Sequence, residues 1–135
     1  MDYLAYIFVL LLIFQFKHWL CDYPLQTPYM LQKFKLEGWV KPLACHAGVH
    51  SLLTLFVLTS VYFIWETTLT YDTVLLLSIF DFTIHFITDR IKAHPNLGGK
   101  YKMDNPKFWW SLGADQMVHH ITHYMIILMI VTHLK

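Results

Sequence analysis

The chain has 135 residues, 56% of them hydrophobic and only 14% charged, with a formal net charge of +1. That is too apolar and too poor in charge for the surface of an ordinary soluble domain, and it fits one small polytopic membrane unit. Cys21 and Cys45 are the only cysteines. Both end apolar segments on the side assigned below to the cytoplasm, so no disulfide is expected.

In chain order, apolar runs predict four membrane spans at residues 3–21, 43–65, 73–89 and 112–134, against the roughly 20 residues a helix needs to cross the hydrocarbon. The predicted fold is therefore all-α, a four-helix membrane bundle with long cytoplasmic links, forming one domain over residues 1–135. The first span starts with Asp2, carries no basic residue at its start and is followed by no small-residue cleavage site, so it is expected to stay as an anchor. In the following link Pro24 and Pro28 stop the helix, and residues 29–36 read as a short amphipathic segment lying along the interface. The third span holds Asp81 and His85 and needs its neighbours as a shield. The next link turns around His94-Pro95-Asn96-Leu97-Gly98-Gly99.

Charge sets the predicted topology. Lys33, Lys35 and Lys41 lie between spans one and two, and Arg90, Lys92, Lys100, Lys102 and Lys107 between spans three and four, whereas the link at residues 66–72 has no basic residue. The positive-inside rule places the two basic links in the cytoplasm and both termini outside, as in a bacterial inner-membrane protein. Lys17 is expected to snorkel to the interface. The basic links face anionic lipid, and no nucleic-acid partner is expected.

Each span carries a pair of His or Asp residues four positions apart: His18 and Asp22, His46 and His50, His85 and Asp89, Asp115 and His119. An i,i+4 pair lies on one helix face. With the alternating topology, Asp22, His46, Asp89 and Asp115 form an outer tier, and His18, His50, His85 and His119 an all-His tier one turn deeper. A weaker third tier follows at Gln15, Thr54, Asp81 and His123. Imidazole and carboxylate are ligands of zinc, iron and manganese, and bundle-core metal sites use inward residues at this spacing. The eight residues are expected to hold one or two divalent ions, zinc foremost. Hydrogen bonds between helices, such as His18 with Asp89 or Asp22 with His46, are the plainer alternative. His94, His120 and His133 fall outside the tiers.

The segment His18-Trp19-Leu20-Cys21-Asp22-Tyr23-Pro24-Leu25-Gln26-Thr27, followed by Lys33, His46-xxx-His50, His85-xxx-Asp89-xx-Lys92 and Asp115-Gln116-xx-His119, resembles the domain of unknown function 3307 family of small bacterial and phage membrane proteins. The resemblance covers nearly the whole chain and implies a polytopic inner-membrane protein without supplying an activity. More distantly, the His and Asp pattern is similar to that of inner-membrane proteins described as metal-dependent hydrolases, which is an analogy.

Within the motif, Gln26 is expected to fold back onto a ligand carboxylate and Gln116 to do likewise, while Lys92 either neutralises Asp89, contacts a substrate phosphate or snorkels to the headgroups. The leading expectation is a metal-dependent hydrolase of a lipid or phosphoester, with Asp22 or Asp115 accepting the proton of the attacking water. Ser51 lies off the His50 face, and no Gly-x-Ser-x-Gly elbow is present. A transporter or ion- and proton-binding protein using the same polar core is the main alternative. A non-catalytic polar core, a haem on His50 and His119, and a holin-like pore are further ones.

Overall fold

The computed structural model describes residues 3–135. Four helices account for most of them: α1 (Tyr3–Asp22), α2 (Val40–Ile64), α3 (Tyr71–Ala93) and α4 (Pro106–Val131). Their ends follow local chemistry more closely than they follow hydropathy. Pro24 lies just past the end of α1 and cannot continue it. Gly38, at φ 68°, makes the left-handed turn that leads into α2. The Thr70 side chain accepts from the Thr73 amide at 3.2 Å to cap α3, and Asn105 caps α4 ahead of Pro106. As a result α3 runs past its expected end at Asp89 to Ala93, and α4 begins at Pro106 rather than Leu112.

The helices form a closed ring in which α1 packs on α2 and α4, and α3 packs on the same two, with α2 and α3 the most extensive pair. The C-terminus is tied to the α2–α3 link, since the Thr68 amide donates to the His133 carbonyl at 2.7 Å and the Lys135 amide to the Glu66 carbonyl at 3.0 Å. Tyr6 near the start of α1 packs on Trp65, with ring centroids 4.4 Å apart. Both ends of the described chain and the α2–α3 link therefore share one end of the bundle. The two long, basic links share the other.

The interior is divided along its length. Near the termini it is apolar, built from Leu10, Phe14, Leu58, Val61, Val74, Ile126, Ile127 and Ile130. Toward the basic links it is filled by Lys17, His18, His46, His50, Asp81, His85, Asp89, Asp115, His119 and His123, all buried. The outside is the reverse, with Leu4, Phe8, Phe16, Leu52, Phe56, Phe63, Leu76, Ile79, Met117 and Leu128 exposed. A water-soluble bundle shows the opposite distribution.

Helices α1 and α2 are long and apolar enough to cross a membrane, and 28% of the apolar stretch of each is buried inside the bundle. Helices α3 and α4 fall short of that composition. The sequence reading expected four spans, and the last two carry too many ionisable residues to meet the same standard alone. Those residues, Asp81, His85 and Asp89 on α3 and Asp115, His119 and His123 on α4, are buried against the other helices.

In the first link Met30–Phe34 forms a short 3-10 turn that buries Met30 and Lys33 while Leu31 and Phe34 stay exposed. Its position is set by Arg90, whose Nη1 donates to the carbonyls of Lys33 and Lys35 at 3.2 Å each and whose guanidinium lies 3.9 Å over the Trp39 ring. In the second link, the backbone at Gly98 passes so close to α3 that a Cβ would stand 2.6 Å from the Lys92 carbonyl oxygen and 2.7 Å from Ser111 Oγ. Only glycine fits there.

Candidate metal centre

Heptad-like spacing on each helix brings the paired residues inward. On α1 the buried stripe is Leu10, Phe14, Lys17, His18 and Cys21, the i, i+3, i+4 pattern of one helix face. Gln15 lies off that stripe and is exposed, so the expected third-tier place on α1 belongs to Lys17. The same geometry corrects the snorkelling expectation. The Lys17 ammonium turns into the bundle and meets Asp81 Oδ2 at 2.7 Å.

The outer tier is a set of three carboxylates with different company. Asp89 accepts from Lys33 Nζ at 2.6 Å and lies 3.0 Å from His46 Nε2 and 3.2 Å from His119 Nε2. Asp115 pairs with Lys92 Nζ at 2.7 Å, and Lys92 also lies 3.5 Å from Asp89. Asp22 has no ammonium partner among the described residues. Three imidazole Nε2 atoms converge on it instead: His18 at 3.2 Å, His50 at 3.1 Å and His46 at 3.5 Å. Burial pushes the Lys33 ammonium below its ordinary value, with the Asp89 charge opposing that shift.

One turn deeper, the His85 ring stacks between His50 and His119, at 3.9 Å from each. His18 packs at 5.2–5.7 Å from all three. Because His85 fills the space between His50 and His119, those two cannot face each other across a haem. Deeper still, Asp81 is wholly buried among Lys17, Thr54, His85 and His123. Thr54 Oγ1 donates to Asp81 Oδ2 at 2.6 Å, and His85 Nδ1 lies 3.1 Å from Asp81 Oδ1. With Nδ1 also 3.1 Å from the Asp81 main-chain carbonyl, its hydrogen-bond partner, His85 Nε2 is left toward the centre of the cluster.

All eight sequence-predicted ligands, His18, Asp22, His46, His50, His85, Asp89, Asp115 and His119, meet at this one end of the bundle. Of the three positions expected to support them, Gln116 meets ligand carboxylates as expected, Lys92 reaches Asp89 but pairs more closely with Asp115, and Gln26 departs. Gln26 Nε2 folds back, but to the main-chain carbonyl of Asp22 at 2.9 Å rather than to a carboxylate, because Pro24 turns the chain past the end of α1. Gln116 bridges, its Oε1 facing His18 Nε2 at 3.0 Å and its Nε2 donating to Asp115 at 3.1 Å and Asp22 at 3.5 Å. Lys92 neutralises Asp115 first and Asp89 second. Lys17 and Lys33 are site residues to which sequence reading gave no role in the site, although Lys33 stood in the motif. Lys33 sits in an irregular link where no periodicity reports direction. For Lys17, its place one turn after Phe14 on the His18 stripe is the signal.

The residues suit a divalent ion on the evidence of their own polar atoms. His46 Nε2, His85 Nε2 and Asp115 Oδ1 are buried without a hydrogen-bond partner, although His46 Nε2 is close to Asp89; the pair is near but misaligned. Such atoms are costly to bury unless something binds them. Ligands about 2.0–2.2 Å from one ion stand roughly 3.0–3.6 Å from each other in octahedral or tetrahedral shells. The Asp22 contacts of 3.1–3.5 Å match that spacing. Asp22 with His46 and His50, and Asp89 with Asp115 and His119, are two separate groups whose ligand atoms lie within 4.8 Å of one another. A third group, Asp81 with His85 and His123, already holds the Lys17 ammonium as its cation.

A cleft of about 270 Å³ opens over the cluster, lined by Asp22, Gln26, Lys33, Lys92, Gln116 and the Gly98–Gly99 turn, with Tyr23, Leu31, Phe34, Phe108 and Leu112 around them. Of the three outer carboxylates, only Asp22 lines it. Asp115 lines a separate cleft with Thr88, Lys92 and Val118.

No curated protein and no solved structure matches the chain. A family model does, over residues 7–135, and the chain belongs to that family, described as Protein of unknown function (DUF3307).

Proposed function

We propose that this chain is an integral membrane metalloprotein, with its polar end toward the cytoplasm, that hydrolyses a phosphoester or lipid ester at the inner leaflet. The observation that carries the reading is the convergence of His18, His46 and His50 on Asp22, the one outer carboxylate without a lysine, at the floor of a cleft. Asp22, His46 and His50 would hold the principal ion, with His18 beside them, zinc foremost with iron or manganese as alternatives, and Asp89, Asp115 and His119 a second. A divalent ion there supplies Lewis acidity and lowers the pKa of nearby water toward neutrality. The exposed apolar girdle and the two span-length helices support insertion, and the eight basic residues on the two polar-end links and the helix ends that flank them support the orientation.

The chain's own residues divide the remaining work. Asp22 stands at both the ligand set and the cleft, so it is placed to take the proton of a water whose oxygen adds to the ester centre. Asp22 then gives that proton to the ester oxygen, which leaves as an alcohol as its bond to the ester centre breaks. Gln116 holds Asp22 and His18 in register, and the Asp81 main-chain carbonyl, 3.1 Å from Nδ1, orients His85. The transport alternative meets an obstacle in the apolar half, where Leu10, Leu58, Val74, Ile126 and Ile130 have no exposure and close the bundle below the cluster. An open-ended path for an ion would need polar lining there.

Elemental analysis of protein purified in mild detergent without added metal tests the proposal. One or two ions per chain is the expected result, and no metal across several preparations, with none taken up on titration, would overturn it.

A further inference from the structure

The cleft over the cluster has features that the metal site by itself does not require. Its wall carries two ammonium groups, Lys33 and Lys92, from different parts of the chain. Both are held in place, since Lys33 is 2% exposed and fixed by Asp89, and the Lys92 side chain is 20% exposed and fixed by Asp115. Two amides, Gln26 and Gln116, and the Ser111 hydroxyl complete the polar lining. Lys100 and Lys107 stand at the same mouth, with their ammoniums 5.2 and 5.7 Å from the Tyr101 ring, and Tyr101 itself lines the cleft.

Counting charge decides the sign of the ligand. Asp22, Asp89 and Asp115 against Lys33 and Lys92 leave one net negative charge, which a single divalent ion turns into one net positive charge. Two ions raise it further. A buried positive surplus beside fixed donors selects an anion, and lysine ammonium groups with amide donors suit the oxygens of a phosphate.

Size and apolar lining decide the rest. At about 270 Å³ the cleft falls just below the usual range for sites that enclose a drug-sized ligand, and it cannot enclose acyl chains. Leu31, Phe34, Phe108 and Leu112 line the same cleft, and Leu31 and Phe34 are exposed beside it. In the proposed orientation this mouth lies at the inner leaflet, where chains left outside the cleft remain in lipid.

We propose that the cleft binds a phosphate-headed amphiphile by its head group alone, Lys33, Lys92 and Gln116 holding the phosphate and the apolar rim receiving the first carbons of the tails. This deepens the hydrolase reading by naming its substrate class, and it rests on that reading for the membrane orientation. Free phosphate shares the recognised chemistry, and the apolar rim is what distinguishes the amphiphile.

The test measures binding to the purified protein in a maltoside detergent, by phosphorus NMR line broadening and thermal shift, with metal content determined on the same samples. The probes are inorganic phosphate, dihexanoyl phosphatidic acid and dihexanoyl glycerol. The expected result is that phosphatidic acid binds at least tenfold more tightly than phosphate and dihexanoyl glycerol does not compete. Lys33→Met and Lys92→Met should each weaken phosphatidic acid binding at least tenfold. Leu112→Trp, which narrows the cleft without touching a carboxylate, keeps the proposal falsifiable if a lysine variant misfolds, and it should abolish phosphatidic acid binding. Equal binding of phosphate and phosphatidic acid would overturn the amphiphile assignment. Binding of neither, or binding indifferent to all three substitutions, would overturn the site. Lysine-dependent phosphatidic acid binding by protein that holds no metal would overturn the charge argument, since the metal-free site keeps one net negative charge, and the metal reading would fail with it. Metal-loaded protein that ignores both phosphate probes would overturn this inference while the metal reading stands.

Discussion

Replacing Lys17 with methionine probes a charge pair buried deep in the bundle. Lys17 and Asp81 meet at 2.7 Å with side chains 3% and 0% exposed, so Lys17→Met leaves a carboxylate with no access to water. Thr54 and His85 still touch it, but neither brings a fixed positive charge. Breaking one side of a buried ion pair costs about 3–5 kcal/mol. An independent bound agrees: the carboxyl can escape by taking up a proton, which at pH 7 costs roughly 4 kcal/mol from an ordinary carboxylate value near 3.9. The penalty therefore grows as pH rises above that value and should shrink to roughly 1.5 kcal/mol at pH 5.

The assay uses the chain's own thiols, because Cys21 is buried and Cys45 exposed. In a Cys45→Ser background, a thiol-reactive dye reports unfolding through Cys21 alone. At roughly 3–5 °C per kcal/mol for a chain of this size, Lys17→Met should lower the midpoint by on the order of 10–20 °C at pH 7, and much less at pH 5. Lys17→Met with Asp81→Leu should recover most of the loss, since an apolar replacement of both partners removes the unpaired charge. A single variant as stable as the parent at pH 7, or a double variant no better than the single, would refute the placement of Lys17 in the core.

Further outcomes follow from the same geometry. His50→Ala and His119→Ala should each lower metal occupancy and thermal stability, whereas His94→Ala and His133→Ala, which lie outside the cluster, should change neither; elemental analysis with the thiol assay checks this. Asp22→Asn should reduce metal content more than Asp115→Asn, because Asp115 is already neutralised by Lys92 while Asp22 faces only imidazoles and Gln116. Equal losses would remove the ranking of the two groups. A reporter fused after Lys135 should behave as external and one inserted at Gly98 as cytoplasmic, and the opposite pattern would reverse the proposed orientation while leaving the cluster intact.

Periodicity made much of this protein legible before any coordinates. Four apolar segments implied four helices, and the i,i+4 spacing of His18 with Asp22, His46 with His50, His85 with Asp89 and Asp115 with His119 implied one inward face per helix. Antiparallel alternation then put all eight at one end, because the 3.6-residue repeat converts sequence spacing directly into a shared face. Where the helices stop depended on Pro24, Thr70, Asn105 and Pro106, whose capping chemistry is local but not apolar.

What lies between helices and in links was decided by the tertiary structure alone. A lysine's charge contributes to topology wherever it falls, yet only packing turns Lys17 toward Asp81 and Lys33 toward Asp89. No repeat in the sequence encodes the direction of a side chain in the irregular segment around Lys33, which Arg90 pins from another helix. The difference among the three outer carboxylates follows from Lys33 on Asp89 and Lys92 on Asp115. It is long-range electrostatics and chain packing, not spacing, that leave Asp22 to the imidazoles and open it to the cleft.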